Sequence, residues 1–82
     1  MRSVDFKGFS QYDQRELFEV RFDTIREAAT FEGNFNINRG NHRFSVEANR
    51  DKYNECLVKV VFSSDMSKEK VEIGIRNTLS MM

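Results

Sequence analysis

Hydrophobic and polar residues alternate most cleanly over 16–23, Glu-Leu-Phe-Glu-Val-Arg-Phe-Asp. Phe18, Val20 and Phe22 fall on one side, and Glu19, Arg21 and Asp23 on the other, which is the period of a half-buried strand. Leu17 departs from the alternation and suits a sheet margin. The preceding stretch, 1–15, is weakly patterned. Val4 and Phe6 there allow a short edge strand over 2–6, and Phe6 and Phe9 suit a lid on the core. Thr24-Ile25-Arg26-Glu27 then forms a capping box, in which the Thr side chain accepts from the Glu27 N–H. With Ala28 and Ala29 following, a short helix over 25–32 is expected, stopped by Gly33 in the left-handed region. A strand through Phe31, Gly33, Phe35 and Ile37 competes, because these positions also alternate.

The stretch 33–48 reads as a β-hairpin. Gly40 supplies positive φ at the first central position of a type II′ turn at Arg39-Gly40-Asn41-His42. The register of a two-residue loop sets Ile37 opposite Phe44 and Phe35 opposite Val46, both pairs on one face. The other face of this 34–46 hairpin carries Asn34, Asn36, Asn38, Arg43, Ser45 and Glu47 and is wholly polar. A turn cluster, Asn49-Arg50-Asp51-Lys52, leads into a strand over 55–62. There Cys56, Val58, Val60 and Phe62 share one side while Leu57 and Val61 make the other partly apolar, the mark of a central strand.

Ser63-Ser64-Asp65-Met66-Ser67 offers several helix N-caps. Beyond them Val71, Ile75, Leu79 and Met82 fall on one helical stripe. Val71, Ile73 and Ile75 would also alternate in a strand, but the caps and the Lys/Glu-rich opening favour a helix over 68–80. The fold expected is therefore α+β: one domain, 1–82, with an antiparallel sheet of about four strands, a short helix near 25–32, and the C-terminal helix packed on one face. The expected core is Phe18, Val20, Phe22, Phe35, Ile37, Phe44, Val46, Val58, Val60 and Phe62, completed by Val71, Ile75 and Leu79. Were the tail a strand, the sheet would be larger and a dimer would cover its second face.

Length and charge narrow the function. The chain has 82 residues, 13 Lys+Arg against 13 Asp+Glu, one Cys, one His and no Pro or Trp. A domain of this size buries roughly 60–65% of its unfolded surface, so its core is small and a deep private substrate pocket would consume much of it. Zero net charge disfavours broad capture of nucleic acid, which is driven by phosphate neutralisation, and equally disfavours an acidic DNA mimic. No apolar run approaches the ~18–20 residues of a membrane span, and the first residues lack the apolar stretch of a signal peptide. A single cysteine makes no internal disulfide, which fits a reducing, cytoplasmic setting.

Candidate chemistry is sparse. Cys56 sits among Val58 and Val60 and reads as a structural thiol. One His and one Cys at unrelated positions do not make a zinc site, so neither metal nor cofactor is expected. No Gly-rich phosphate loop, GxSxG or HExxH occurs, and an enzyme is not expected. The candidate binding residues are Asn36, Asn38, Arg39, His42, Arg43 and Ser45, on the hairpin's polar face and turn. Asn and Arg hydrogen-bond base edges or a partner's backbone, but the face lacks aromatic stacking residues. The basic residues Arg39, Arg43, Arg50, Lys52 and Lys59 divide between two turns at opposite ends of one strand and form no single patch.

The function expected is a small non-catalytic protein-binding module, a regulator, inhibitor or assembly subunit, compatible with a phage or mobile-element protein that blocks a host machine. Its partner is another protein or a second copy in a homodimer, with no membrane partner. A nucleic-acid-binding domain using the 34–46 hairpin is the alternative.

Overall fold

The computed structural model describes residues 2–10, 15–40 and 45–82. Six elements follow one another: β1 Ser3–Ser10, β2 Arg15–Arg21, α1 Ile25–Asn38, β3 Val46–Arg50, β4 Leu57–Ser63 and α2 Lys68–Ser80. The strands form one antiparallel sheet in the order β1-β2-β4-β3. The α+β expectation holds, and the doubly apolar strand over 55–62 is indeed central.

Register explains the core. Phe6, Phe18 and Val60 stand in one cross-strand row, and Val4, Val20 and Val58 in another. Val46 faces Phe62 and Ala48 faces Val60 across β3–β4. These side chains point to the helices, and those of β2, β3 and β4 are buried. Two runs of rings fill the layer between sheet and helices. Phe18 lies between Phe6 and Phe62, at centroid distances of 5.1 and 5.7 Å. Phe31 lies between Phe22 and Phe35, at 5.4 and 5.8 Å. Such pairs add to the apolar area removed from water. Val71 and Ile75 of α2 close the core, with Leu79 and Met66 packed at its margin.

Two expectations fail together. The hairpin over 34–46 does not form, because residues through Asn38 belong to α1. The capping box starts the helix as read: Thr24 Oγ1 accepts from the Glu27 N–H at 3.2 Å. Gly33 does not end it. The left-handed residue is Gly40, at φ +56, directly after the Arg39 C-cap, where glycine carries no Cβ penalty. Phe31 and Phe35 alternate as a strand would, yet they are four apart and share a helix face with Ala28, which decides the matter once that face meets the sheet. Ile37 then points away and is 80% exposed instead of joining the core. Phe44, the other expected hairpin residue, lies outside the described residues. Among the described residues, the antiparallel pairs of consecutive strands are β1–β2 and β3–β4.

The chain also carries an internal pseudo-two-fold. Each half is a hairpin followed by a helix. β4 begins at Leu57 and β2 at Arg15, an offset of 42 residues, and both strands run seven residues. The axis passes between Phe18 and Val60, which are register partners. It relates Val4 to Val46 and Phe6 to Ala48. The N-caps Thr24 and Ser67 are likewise equivalent, 43 residues apart.

Phe18 sits on that axis and is 1% exposed. Replacing it with Ala removes about 3–5 kcal/mol, against a total of roughly 4–12 kcal/mol for a domain of this length. Phe18→Ala is therefore expected to be largely unfolded at ambient temperature, as read by circular dichroism and urea titration.

Candidate functional site

Two of the side chains singled out in the sequence, Asn36 and Arg39, lie on the seam between α1 and the edge strand β3. An antiparallel edge strand bonds its neighbour through alternate residues and leaves the others' N–H and C=O groups facing outward. The Ser63 N–H donates to Ser45 O, and the Asp51 N–H to Leu57 O, both at 2.8 Å. The odd-numbered residues of this segment therefore face β4, and Val46, Ala48 and Arg50 face out.

Helix α1 meets those outward groups one by one. Asn36 Nδ2 donates to Ala48 O at 2.9 Å, and Asn36 Oδ1 accepts from the Ala48 N–H at 3.0 Å. Arg39 Nη1 donates to Val46 O at 2.9 Å, while its Nε donates to Asn36 O at 3.1 Å. Glu32 Oε2 accepts from the Arg50 N–H at 2.9 Å, and Glu32 Oε1 from Arg50 Nε at 3.1 Å. Glu32, Asn36 and Arg39, at helical spacing, thus play the part of a fifth strand. They satisfy four backbone groups that would otherwise invite another chain.

The remaining candidates disperse. Asn38 Nδ2 donates back to Asn34 O within α1. Ser45 precedes β3 and uses its carbonyl to hold β4. His42 and Arg43 lie outside the described residues. The polar sheet face on which these residues were to converge is not formed. Arg39 bonds Val46 O at the start of β3 and Arg50 is the last residue of that strand; the separation expected of the two basic turns rested on the 34–46 hairpin, which is not formed.

A different concavity is present. Between α1 and α2 runs a groove of about 390 Å³. Phe35, Val46, Met66, Val71 and Met81 give it an apolar lining, and its two charged residues, Arg39 and Lys70, are both basic. Gly74 lies beneath Phe35: a Cβ there would meet Phe35 Cε2 at 3.7 Å, ordinary contact, so the helix spacing does not demand glycine. Neither α1 nor α2 shows this groove in sequence, since its residues come from four separate elements or linkers. The available hint was Met66 and Met81, flexible apolar residues beyond the main stripe.

The sheet face away from the helices carries Leu17, Val61, Glu19, Arg21 and Lys59. Glu19 contacts Arg21 at 3.4 Å and Lys7 at 4.0 Å. Asp51 sits where β3 ends. Burial pushes its carboxyl up, but Lys59 Nζ at 3.3 Å and the backbone N–H groups of Tyr53 and Asn54 outweigh that and hold it below the ordinary aspartate value. Cys56 is half-buried in the preceding turn. Among the described residues no three His, Cys, Asp or Glu side chains gather as a metal site, and no helix is long and apolar enough to cross a membrane. Comparison with protein families, curated proteins and solved structures found no match.

Two outcomes follow for stability. Asn36→Ala leaves the Ala48 N–H and C=O without partners in a half-buried seam, at a cost of about 1–3 kcal/mol; the urea midpoint falls, and exchange of the Ala48 amide accelerates. Asp51 titrates lower folded than unfolded, so its contribution is present above about pH 4 and is lost as pH falls through the folded value. Asp51→Asn should therefore show a shallower loss of stability across an acid titration than the unmodified protein.

Proposed function

We propose that this chain is a small non-catalytic protein-binding module that receives a short segment of another protein in the groove between α1 and α2. The observation that carries this reading is the lining: an apolar floor flanked by Arg39 and Lys70, with no acidic residue among the lining side chains. Such a surface suits an amphipathic segment that buries apolar side chains and presents a carboxylate to Lys70. Arg39 is already committed to Val46 O and Asn36 O, so Lys70, exposed at the rim, is the free cation for the partner. Met66 and Met81 adapt their shape to different apolar side chains. A regulator, inhibitor or assembly subunit works in this way, through its surface.

The nucleic-acid alternative has less to stand on. It drew on a 34–46 hairpin whose first strand is instead helical, and two of its side chains, Asn36 and Arg39, are spent on β3.

Selection of displayed peptides against the protein tests the module. The expected winners combine apolar positions at helical or alternating spacing with Asp or Glu. Lys70→Glu should weaken them about tenfold, as reversal of one charge contact does in a partly desolvated site, and Met81→Asp should weaken them comparably. Winners that bind both variants as well as the unmodified protein would exclude the groove.

A further inference from the structure

The two edges of the sheet are equivalent under the pseudo-two-fold, but they are finished differently. At β3, Glu32, Asn36 and Arg39 cover Arg50, Ala48 and Val46. The equivalent positions on α2, 43 residues on, are Ile75, Leu79 and Met82. None of these side chains has a strong hydrogen-bonding group. The matching strand residues are Val4 and Phe6. In β1 the residues that bond β2 are Ser3 and Asp5, since the even residues of β2 are used by β4. Val4 and Phe6 therefore turn their backbone N–H and C=O outward, and among the described residues nothing accepts from or donates to them. The contacts α2 makes here go elsewhere: Arg2 Nη1 donates to Leu79 O at 3.2 Å, and Lys68 Nζ lies 4.5 Å from the centre of the Phe6 ring.

We infer that β1 pairs with β1 of a second copy, antiparallel about a two-fold at Phe6, extending the two sheets into one. Backbone alternation permits only registers in which the even residues bond. Centring on Asp5 would set two like carboxylates against each other. Centring on Phe6 sets Asp5 of each copy across from Lys7 of the other, and the two Phe6 residues exchange both hydrogen bonds. That cation offsets a like charge already across from Asp5. Within one copy its register partner is Glu19, a like charge, and no described residue forms an ion pair with it. Lys7 is on the same side of the sheet, with its Nζ 4.0 Å from Glu19 Oε1. Beyond Lys7 the strand bulges at Gly8, whose φ is +84. A bulge limits edge pairing, so the contact is short and the dimer weak. This pairing is independent of the groove between the helices.

Sedimentation equilibrium over a concentration series reads the association, with thermal melts to verify folding. The protein is expected to shift from monomer to dimer as concentration rises, with slowed exchange at the Phe6 amide. Asp5→Lys and Lys7→Asp should each weaken the dimer about tenfold, and the double exchange, Asp5→Lys with Lys7→Asp, should restore it. A monomer throughout the series, a dimer indifferent to these charges, or a Phe6 amide whose exchange ignores concentration would each overturn the inference. So would a monomer whose Val4 and Phe6 amides respond only to an unrelated extended peptide, which would give the edge to a different occupant.

Discussion

A sheet of four strands has two edges, and each edge strand turns half of its backbone groups away from its neighbour. Those groups must find water, another chain or a side chain. In this protein α1 settles the question for β3 by laying Glu32, Asn36 and Arg39 along it. Much else depends on that seam. It requires α1 to run fourteen residues and to continue past Gly33, the first glycine that could have stopped it. It occupies both backbone groups of Ala48, which the Asn36 carboxamide bonds, and Ala48 is wholly buried there. It also ties Arg39 to the helix C-terminus, so that Gly40 turns the chain back toward β3.

The seam also explains where reading the sequence succeeds and where it stops. β2 and β4 announce themselves because each has one dominant period. Phe18, Val20, Val58, Val60 and Phe62 obey it and are buried. α2 is bounded as expected, with Ser67 at its N-cap and Val71 and Ile75 inward. The stretch 31–38 is different. Phe31 and Phe35 satisfy a spacing of two and a spacing of four at once, so apolar periodicity cannot choose. The polar residues could have chosen: Glu32, Asn36 and Arg39 stand at i, i+4 and i+7, a second helical stripe beside the apolar one. Read as a solvated strand face, Asn36 had no partner to name. Read as a stripe, it points to a backbone in need of donors and acceptors. The strand order and the groove lay further out of reach, since both depend on contacts between elements far apart in the chain.

The pseudo-symmetry sharpens the contrast between the two halves. Hairpin, cap and helix recur, yet the residues at equivalent positions differ in kind. Phe31 corresponds to Gly74, Phe35 to Thr78, and Asn36 to Leu79. Large rings from α1 therefore fill space that α2 leaves, with Phe35 lying over Gly74. One helix serves as core and edge cover together, while the other supplies a slimmer wall. The groove runs beside this contact, with Phe35 on one wall and Gly74 and Thr78 on the other.

The same divergence separates the two surfaces in space. Val46 and Arg39 place the groove on the β3 side of the molecule, and the strand order places β1 at the far edge. A segment seated against Lys70 therefore leaves Asp5 and Lys7 free, and pairing at β1 leaves the groove open. Sealing one edge with hydrogen-bonding side chains while giving the equivalent helix positions to Ile75, Leu79 and Met82 confines strand pairing to a single direction. In the pairing proposed at β1, growth would end at two copies, since each brings one sealed edge and one open one, and the closed pair would display two grooves at opposite ends of a continuous sheet.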